Sequence, residues 1–353
     1  DKNKIYCFNL AAVHAVLMVG KKMVTSEDKV AKFYSDVTKE FKETGMPSDV
    51  YENSITFGQQ VADAILAWAA KDNYIQTRSM SQYNVMVSEG FWQPTPPAYM
   101  KAIEPNWNKM RTLLIDSASQ FKPIPPPKFS KQLNSEFYKD AIEVKNGLDS
   151  SKKERTEVAK FWDCNPFKVT THGHIMYASK KISPGGHWIN IAGLATKKVK
   201  ADYIQTAETY AYVAAILYDS FISCWDEKYR SNAIRPETYI NEYIDKRWVP
   251  LLQTPPFPEY TSGHSVASTA AAVALTKMYG DDFAFSDSTE LEFGLPVRNF
   301  KSFFEASNEA AISRFYGGIH YMPAIKNGVE QGRVLANFCV DKFTTRTNKS
   351  YKN

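Results

Sequence analysis

The sequence predicts an all-α protein built from helical bundles, either a pair of them or one large bundle. Apolar residues recur at helical spacing through most of the 353 residues, and no alternating strand pattern extends beyond a few positions. An apolar content of 44% with 23% charged residues is typical of a globular chain that can bury a substantial core. We expect one domain over 1–353, with an N-terminal helical half at 1–150 and a C-terminal half at 151–345.

The N-terminal half begins with the apolar segment 5–20, which faintly resembles a signal sequence but is not followed by a small-residue cleavage site. We therefore interpret this segment as part of the mature fold. Residues 26–44 open with Ser26 and two acidic residues, an arrangement typical of a helix start, and 56–71 continue the helical spacing. Residues 80–134 contain two proline clusters and are expected to form loops.

The C-terminal half carries most of the predicted helices. Apolar spacing, caps and prolines predict them at 135–149, 151–163, 202–229, 236–246, 262–280, 301–315 and 323–343. The helix at 202–229 is apolar nearly all round, which indicates a central position. Residues 164–190 are expected to form a loop. The acidic stretch 281–292 lacks the spacing of a calcium-binding loop and is interpreted as a solvated surface.

Composition and charge argue against several classes of partner. The net charge is only +5, and the basic residues are interspersed with acidic ones, so nucleic acid is not expected to bind. No apolar run has the length of a membrane span. We expect a monomer that is exported to the periplasm or the medium, with no signal visible in this chain.

The four cysteines are Cys7, Cys164, Cys224 and Cys339. They lie far apart and form no C-x-x-C pair, so a zinc site built on them is disfavoured. Free buried thiols and two disulfides are both compatible with the sequence.

The most informative stretch is Pro255–Gly280, in which prolines lead into Ser262-Gly263-His264 and then into a run of small apolar residues. Ser262 is a good helix N-cap, and Gly263 lets a ligand approach the backbone. The N–H groups and the positive dipole end of such a helix form a site for an oxyanion, with His264 beside it. An ordinary capped helix with a buried histidine is the alternative, and it is the better interpretation of this stretch taken alone.

Cationic residues and a second histidine flank this stretch. Lys228 and Arg235 are seven residues apart and are expected to share one helix face. Arg314 lies near a predicted helix end, and His320 lies on the turn before Pro323. Each of these residues alone is most simply a solvated charge or a satisfied core side chain. Three cations, two histidines and a helix start together predict a pocket for a multiply charged tetrahedral oxyanion.

Three motifs in this order resemble the signature shared by vanadium-dependent haloperoxidases and type 2 phosphatidic acid phosphatases. The motifs are Lys228-x6-Arg235-Pro236, Ser262-Gly263-His264 and Ser313-Arg314-x5-His320. The resemblance implies the paired helical bundles of the vanadium haloperoxidases. Trp225 and Phe257 match the halide-side aromatics of the soluble chloroperoxidases, and 159–167 and 184–193 extend the similarity to the bacterial iodoperoxidases of that family. The resemblance also places Phe167 at the pocket.

Two positions depart from the family pattern. Thr261 stands where a proline usually precedes Ser-Gly-His, which costs rigidity but no chemistry. Ala324 lies four residues after the last histidine, where the family tends to carry an aspartate. A metal-bound histidine normally donates its second N–H group to an acceptor that fixes its tautomer. We therefore expect a backbone carbonyl or another side chain to orient His320.

The function implied by the resemblance is that of a vanadium-dependent haloperoxidase with a vanadate(V) cofactor and His320 as its metal ligand. The vanadate oxygens would be bound by Lys228, Arg235, Ser262, Gly263 and Arg314. His264 would take a proton from hydrogen peroxide, and Lys228 would polarise the peroxide, so that iodide is oxidised to hypohalous acid through a peroxovanadate. Bromide is the second candidate halide.

Two other functions are compatible with the same residues. In a vanadate-inhibited acid phosphatase, His320 would attack phosphorus to form a phosphohistidine, and His264 would protonate the leaving oxygen. The membrane-embedded phosphatases have several spans and this chain shows none, so a lipid substrate is disfavoured. A non-catalytic oxyanion-binding module is the third alternative, although binding alone requires neither histidine.

Overall fold

The computed structural model describes residues 3–24, 26–147, 152–172, 174–178 and 181–345. The chain divides into two compact units, Asp1–Gln76 and Thr77–Asn353. The sequence pattern predicts no boundary near residue 76, and the division into halves at residue 150 stays a prediction. The all-α fold class is confirmed, because helices make up most of the regular structure in the described ranges.

The N-terminal unit contains the helices α1 (Phe8–Met23), α2 (Glu27–Glu43) and α3 (Ser48–Ala69). Most of the apolar segment 5–20 is helix α1, and Ser26 occupies the N-cap position of α2. Helix α3 is longer at its N-terminus than the sequence predicts. It approaches α1 through small residues, since a Cβ atom on Gly58 would lie 2.5 Å from the carbonyl oxygen of Ala11. Its larger apolar side chains are therefore partly exposed.

The remaining helices and strands follow in chain order. They are α4 (Tyr74–Thr77), a 3-10 turn (Trp107–Lys109), α5 (Glu136–Gly147), α6 (Lys153–Phe161), β1 (Val169–His172), β2 (Ile175–Ala178), α7 (Pro184–Lys198), α8 (Tyr203–Ser231), α9 (Pro236–Tyr243), α10 (Gly263–Tyr279), β3 (Phe285–Asp287), a second 3-10 turn (Leu291–Phe293), β4 (Arg298–Phe300), α11 (Phe303–Tyr316) and α12 (Met322–Lys342). Strand β1 pairs antiparallel with β2, and β3 pairs antiparallel with β4.

Most of these elements agree with the sequence-based predictions to within a few residues, and 80–134 are mainly loop as expected. Helix α7 and the two small hairpins are not predicted. The start of α7 has the sequence Ser-Pro-Gly-Gly, which favours a turn in the absence of other information. In the structure Ser183 caps the helix by accepting a hydrogen bond from the Gly186 N–H at 3.1 Å, and Pro184 occupies the first turn.

Helix α10 lies at the centre of the C-terminal unit and contacts α8, α11 and α12. Its residues from Ser265 to Leu275 are all buried, as the run of small apolar residues predicts. Helix α12 approaches the start of α10 closely, because a Cβ atom on Gly328 would lie 2.9 Å from the Ser265 Cβ and 3.1 Å from the Ser262 carbonyl oxygen. A glycine on α12 therefore sets the position of the first turn of α10.

The expectation of a loop over 164–190 is wrong, because this stretch contains β1, β2 and the start of α7. Two further sequence-based expectations are also wrong. Lys228 and Arg235 do not share a helix face, because Asn232 adopts a left-handed conformation (φ 48°) that ends α8, and Arg235 is the N-cap residue of α9. The acidic stretch 281–292 is not uniformly solvated. Asp287 and Glu290 are buried there, because both lie against the imidazole of His187.

The structure also shows the state of the cysteines and the character of the helices. All four cysteines are free thiols, and Cys164, Cys224 and Cys339 are buried. Within the described ranges, no helix combines the length and the apolar character needed to cross a bilayer.

Candidate active site

A cavity of about 200 Å³ lies at the N-terminal end of α10. The predicted site residues that line it are Phe167, Trp225, Phe257, Gly263, His264, Arg314 and His320. The other three predicted residues, Lys228, Arg235 and Ser262, are fully buried next to this lining. The chain thus brings residues from α8, α9, α10, α11 and the loop before α12 to one place.

The ammonium group of Lys228 is held by the segment that leads into α10. Its Nζ donates to the carbonyl oxygens of Pro258 at 3.0 Å, Glu259 at 3.1 Å and Thr261 at 2.5 Å. It also lies 5.1 Å from the centroid of the Phe257 ring. Burial lowers the pKa of Lys228 to about 8. Since three carbonyls engage its three N–H groups, Lys228 contributes to the cavity mainly through its charge.

Two arginines of the same cluster are each held by main-chain carbonyls. Arg235 donates from Nε to the Phe257 carbonyl at 2.9 Å and from Nη1 to the Ile319 carbonyl at 2.9 Å. Arg314 donates from Nη1 to the Trp162 carbonyl at 2.6 Å. Both guanidinium groups are almost completely buried, and burial lowers the pKa of Arg235 to about 10.

Three buried nitrogen atoms of this cluster have no hydrogen-bond partner among the described residues. They are Nη2 of Arg235, Nε of Arg314 and Nε2 of His264. Buried polar atoms in folded proteins almost always have partners, and a species bound in the cavity would supply them for these three atoms. The two guanidinium nitrogens can only donate, and an anion with several oxygens matches them.

His320 is oriented by a residue that the sequence analysis did not identify. Its Nδ1 lies 2.8 Å from Oε1 of Glu259, and the same oxygen accepts a hydrogen bond from the Tyr321 N–H at 3.0 Å. Its Nε2 lies 3.2 Å from Nη1 of Arg235. With Nδ1–H donating to the Glu259 carboxylate, Nε2 carries the lone pair, which accepts from Arg235 Nη1 here and would be the donor to a metal. Ala324 contributes only its carbonyl oxygen, which accepts from the Ser262 N–H at 3.1 Å.

The electrostatic environment keeps both histidines neutral. Burial lowers the pKa of His264, and the charge of Arg314 adds to this effect. Burial also lowers the pKa of His320, with Arg235 as the next cause. A neutral imidazole can accept a proton or bind a metal, whereas an imidazolium can do neither. The field of the cavity therefore comes from the fixed cations.

The start of α10 supplies the remaining polar part of the site. Ser262 caps the helix, since its Oγ accepts from the Ser265 N–H at 3.3 Å. A Cβ atom on Gly263 would lie 3.6 Å from the Trp225 ring and 3.9 Å from Cε of Lys228. The absence of this atom leaves the backbone of the first helical turn open to the cavity.

Aromatic rings close the other side of the cavity. The ring centroids of Trp225 and Phe257 are 5.0 Å apart, and those of Trp225 and Trp107 are 4.9 Å apart. Phe221 also lines this side. Trp107 comes from the loop region 80–134, which carries no motif, so sequence analysis gave no indication of its position. The cavity thus joins a cationic, hydrogen-bonding wall to an aromatic wall.

The sequence matches one protein-family model, and the fold is similar to that of solved structures. The family model described as the VCPO second helical-bundle domain matches residues 208–349, which hold every predicted site residue except Phe167. The chain is similar to the crystal structure of a bacterial vanadium-dependent iodoperoxidase, with 48% sequence identity and a TM-score of 0.92, over 99% of this chain and 83% of that chain. No curated protein matches the sequence.

Two further structures share the fold at lower identity. The holo form of a bacterial vanadium-dependent chloroperoxidase has a TM-score of 0.71 at 16% identity, over 94% of this chain and 81% of that chain. An apo form of a bacterial vanadium-dependent chloroperoxidase has a TM-score of 0.71 at 18% identity, over 94% and 83% respectively.

Proposed function

Because the chain belongs to the vanadium-dependent haloperoxidase family, we propose that it oxidises iodide with hydrogen peroxide at a vanadate ion bound beside the start of α10. Hydrogen peroxide, iodide and one proton give hypoiodous acid and water. The three unpartnered buried nitrogens of Arg235, Arg314 and His264 carry this proposal, since a tetrahedral oxyanion supplies oxygen acceptors for the arginines at that place.

The residues of the cluster fit vanadate in charge and in donor type. Arg235 and Arg314 would donate to its oxygens, and the Gly263 N–H and Ser262 Oγ would complete the set at the helix start. Lys228 would add charge from behind the wall, where carbonyl groups hold its ammonium. Nε2 of His320, oriented through Glu259, is the atom suited to bind the metal.

His264 is the proposed proton acceptor of the reaction. When bound, vanadate supplies a Lewis-acidic centre that activates peroxide without a change of oxidation state. His264 lines the cavity as a neutral imidazole, so its Nε2 can accept the proton that hydrogen peroxide loses. The preorganised positive field of Lys228, Arg235 and Arg314 would stabilise the negative charge that develops on oxygen.

Iodide is the halide that the cavity and the comparison favour. The 48% identical relative is an iodoperoxidase, and iodide is the most easily oxidised of the common halides. The aromatic wall of Trp107, Trp225 and Phe257 offers polarisable surface beside the cations, which suits a large and weakly hydrated anion. Bromide stays the second candidate. Export and a monomeric state also stay proposals, which cell fractionation and light scattering on the purified chain test.

Two assays on the same sample test the function. The chain is stripped of metal, loaded with orthovanadate, and supplied with peroxide and iodide, and a portion without vanadate receives p-nitrophenyl phosphate. We expect triiodide formation that requires vanadate, together with one bound vanadium per chain by elemental analysis. Phosphate release that vanadate abolishes, with no triiodide, would favour the phosphatase alternative. Stoichiometric vanadium without either activity would favour a binding module.

A further inference from the structure

A second cluster of potential ligands lies next to the active-site cavity. Sγ of Cys164 is 3.3 Å from Nδ1 of His187 and 4.0 Å from Oε1 of Glu290, and that Nδ1 and Oε1 are 3.4 Å apart. All three side chains are buried. They come from three separate segments: the loop after α6, the first turn of α7, and the residue before the second 3-10 turn.

Two of these three separations match those around a tetrahedral zinc ion. Zinc bonds of about 2.3 Å to sulfur and about 2.0–2.2 Å to nitrogen and oxygen place neighbouring ligand atoms about 3.4–3.6 Å apart. Two of the three observed distances lie within 0.2 Å of this range, and the third, from Cys164 to Glu290, is 4.0 Å. The protein alone therefore holds the three ligand atoms close to the geometry that zinc requires.

The histidine of the cluster is oriented as metal-binding histidines usually are. Nε2 of His187 lies 2.7 Å from Oδ2 of Asp287, and Oδ1 of Asp287 accepts a hydrogen bond from the Thr289 N–H at 2.9 Å. A carboxylate behind the imidazole fixes the tautomer that leaves the other nitrogen free for a metal. In addition, the Trp162 ring stacks on His187 with centroids 4.6 Å apart, so the imidazole plane is held from its face.

Glu290 provides the observation that points most directly to a ligand. Its side chain is 1% exposed, and Oε2 has no hydrogen-bond partner among the described residues. Its Oε1 faces the thiol and the imidazole while Oε2 lacks a described partner, and a cation bound to this buried carboxylate would offset its desolvation cost. Without a metal, burial lowers the pKa of His187, but hydrogen bonds with Asp287 and Cys164 outweigh this effect and raise it to about 11. A Cys–His–Asp hydrogen-bonded triad is thus the rival state.

We propose that Cys164, His187 and Glu290 bind one zinc ion, with water as the fourth ligand and Asp287 as the residue that positions His187. A thiolate, an imidazole and a carboxylate together suit zinc better than calcium or magnesium, which prefer oxygen. The sequence disfavoured zinc at the cysteines because no two of them are close in the chain. The site uses a single cysteine, and its other ligands are 23 and 126 residues away.

The zinc site would also position one wall of the active site. Trp162 lies two residues before Cys164, and its carbonyl accepts the hydrogen bond from Nη1 of Arg314 at 2.6 Å. Cys164 itself lines the active-site cavity. A metal that ties the Cys164 loop to α7 and to Glu290 would therefore fix the carbonyl that holds Arg314. The ligands are positioning residues for the oxyanion cage and do not touch the reacting atoms.

The test measures metal in the full chain, produced with zinc in the medium and purified without chelators. We expect one zinc per chain by elemental analysis, independent of vanadate loading. Replacement of zinc by Co²⁺ should give a thiolate-to-cobalt charge-transfer band. Cys164→Ser and Glu290→Gln should each lower zinc affinity at least about 100-fold, and Asp287→Asn about 10- to 100-fold. Cys339→Ala removes a buried thiol elsewhere and should keep both the zinc and the band.

Several results would overturn the zinc site. A folded wild-type chain that takes up no zinc, or a cobalt form without the thiolate band, leaves only the hydrogen-bonded triad. Unchanged zinc affinity in Glu290→Gln would also rule out the zinc site. This variant keeps the shape of the side chain, so the result can be interpreted even if Cys164→Ser does not fold. Vanadium is determined on the same samples, so zinc without vanadium would contradict the proposed function and leave the zinc site standing.

Discussion

Nδ1 of His320 lies 2.8 Å from Oε1 of Glu259, although the two residues are 61 positions apart in the chain. The residue four positions after this histidine is Ala324, whose side chain cannot accept a hydrogen bond. Glu259 reaches the imidazole from the proline-rich segment before α10 instead. The acceptor that fixes the tautomer of His320 thus comes from a distant part of the chain and not from the following turn of α12.

Replacement of Glu259 by glutamine is expected to weaken vanadate binding by about 10- to 100-fold, because an amide is a poorer acceptor for Nδ1–H than a carboxylate is. Equilibrium titration of the metal-stripped protein with vanadate measures the effect. Glu208→Gln alters a buried carboxylate near the start of α8, outside the cluster, and should change the affinity by less than about threefold. Equal affinities for wild type and Glu259→Gln would show that Glu259 does not orient the metal ligand.

The two histidines are expected to separate binding from turnover. His264→Ala should keep one vanadium per chain and lower kcat by about 10²- to 10⁴-fold, which is the usual contribution of a general base. His320→Ala should lose vanadium and activity together, because it removes the metal ligand. Vanadium content and steady-state iodide oxidation, measured on both variants, distinguish these effects. Full turnover in His320→Ala would refute its assignment as the ligand.

The ionisation of Lys228 predicts how vanadate binding depends on pH. Its pKa in the protein without vanadate is lowered to about 8 by burial, so above that pH the ammonium is lost before vanadate binds. Binding must then restore the proton, and affinity should fall by up to about tenfold per pH unit above about 8. Below about pH 8 Lys228 is already protonated, so its ionisation no longer changes the vanadate affinity.

Lys228→Arg is the matched control for that prediction, because a guanidinium stays charged to higher pH. Vanadate itself also titrates, but it does so equally for both proteins, and the ratio of their dissociation constants removes its contribution. We expect this ratio to change above about pH 8. A ratio that stays constant from pH 6 to pH 10 would mean that the charge of Lys228 does not contribute to binding.

Helix packing at Gly328 predicts a coupled loss of stability and binding. A Cβ atom there would meet the Ser265 side chain at 2.9 Å and the Ser262 carbonyl at 3.1 Å. Gly328→Ala should therefore displace the start of α10, lower the free energy of unfolding by about 1–3 kcal/mol and weaken vanadate binding. Thermal unfolding and vanadate titration measure the two effects.

Gly20→Ala serves as the control for the glycine substitution. Gly20 lies in α1, and an added Cβ atom would meet nothing within 4 Å. This change should stabilise the helix by up to about 1 kcal/mol through the higher helix propensity of alanine, and it should leave binding unchanged. If Gly328→Ala behaves in the same way as Gly20→Ala, then α12 does not set the position of the first turn of α10.

The features that the sequence predicted well depend on neighbours in the chain. The cap at Ser262 and the helix after it are set by side chains within a few residues of one another. Lys228 and Arg235 lie at one cluster as predicted, but they do not lie on one helix. Asn232 gives no strong sequence signal that α8 ends between them. Glu259, Trp107 and Glu290 could not be placed, since their partners are brought to them only by tertiary packing.

Each cation of the oxyanion cage is tethered to main-chain oxygens of another segment: Lys228 before α10, Arg235 at Phe257 and Ile319, and Arg314 at Trp162. Main-chain atoms in a packed interior are held in place. The free energy of folding therefore offsets the repulsion among the three charges, and their positions are fixed before a ligand binds. In the proposed complex the ion would meet cations that are already held in place, and the contact between Arg235 Nη1 and His320 Nε2 would have to open. The field that would act on peroxide in the proposed reaction is therefore set largely by the fold, before any substrate arrives.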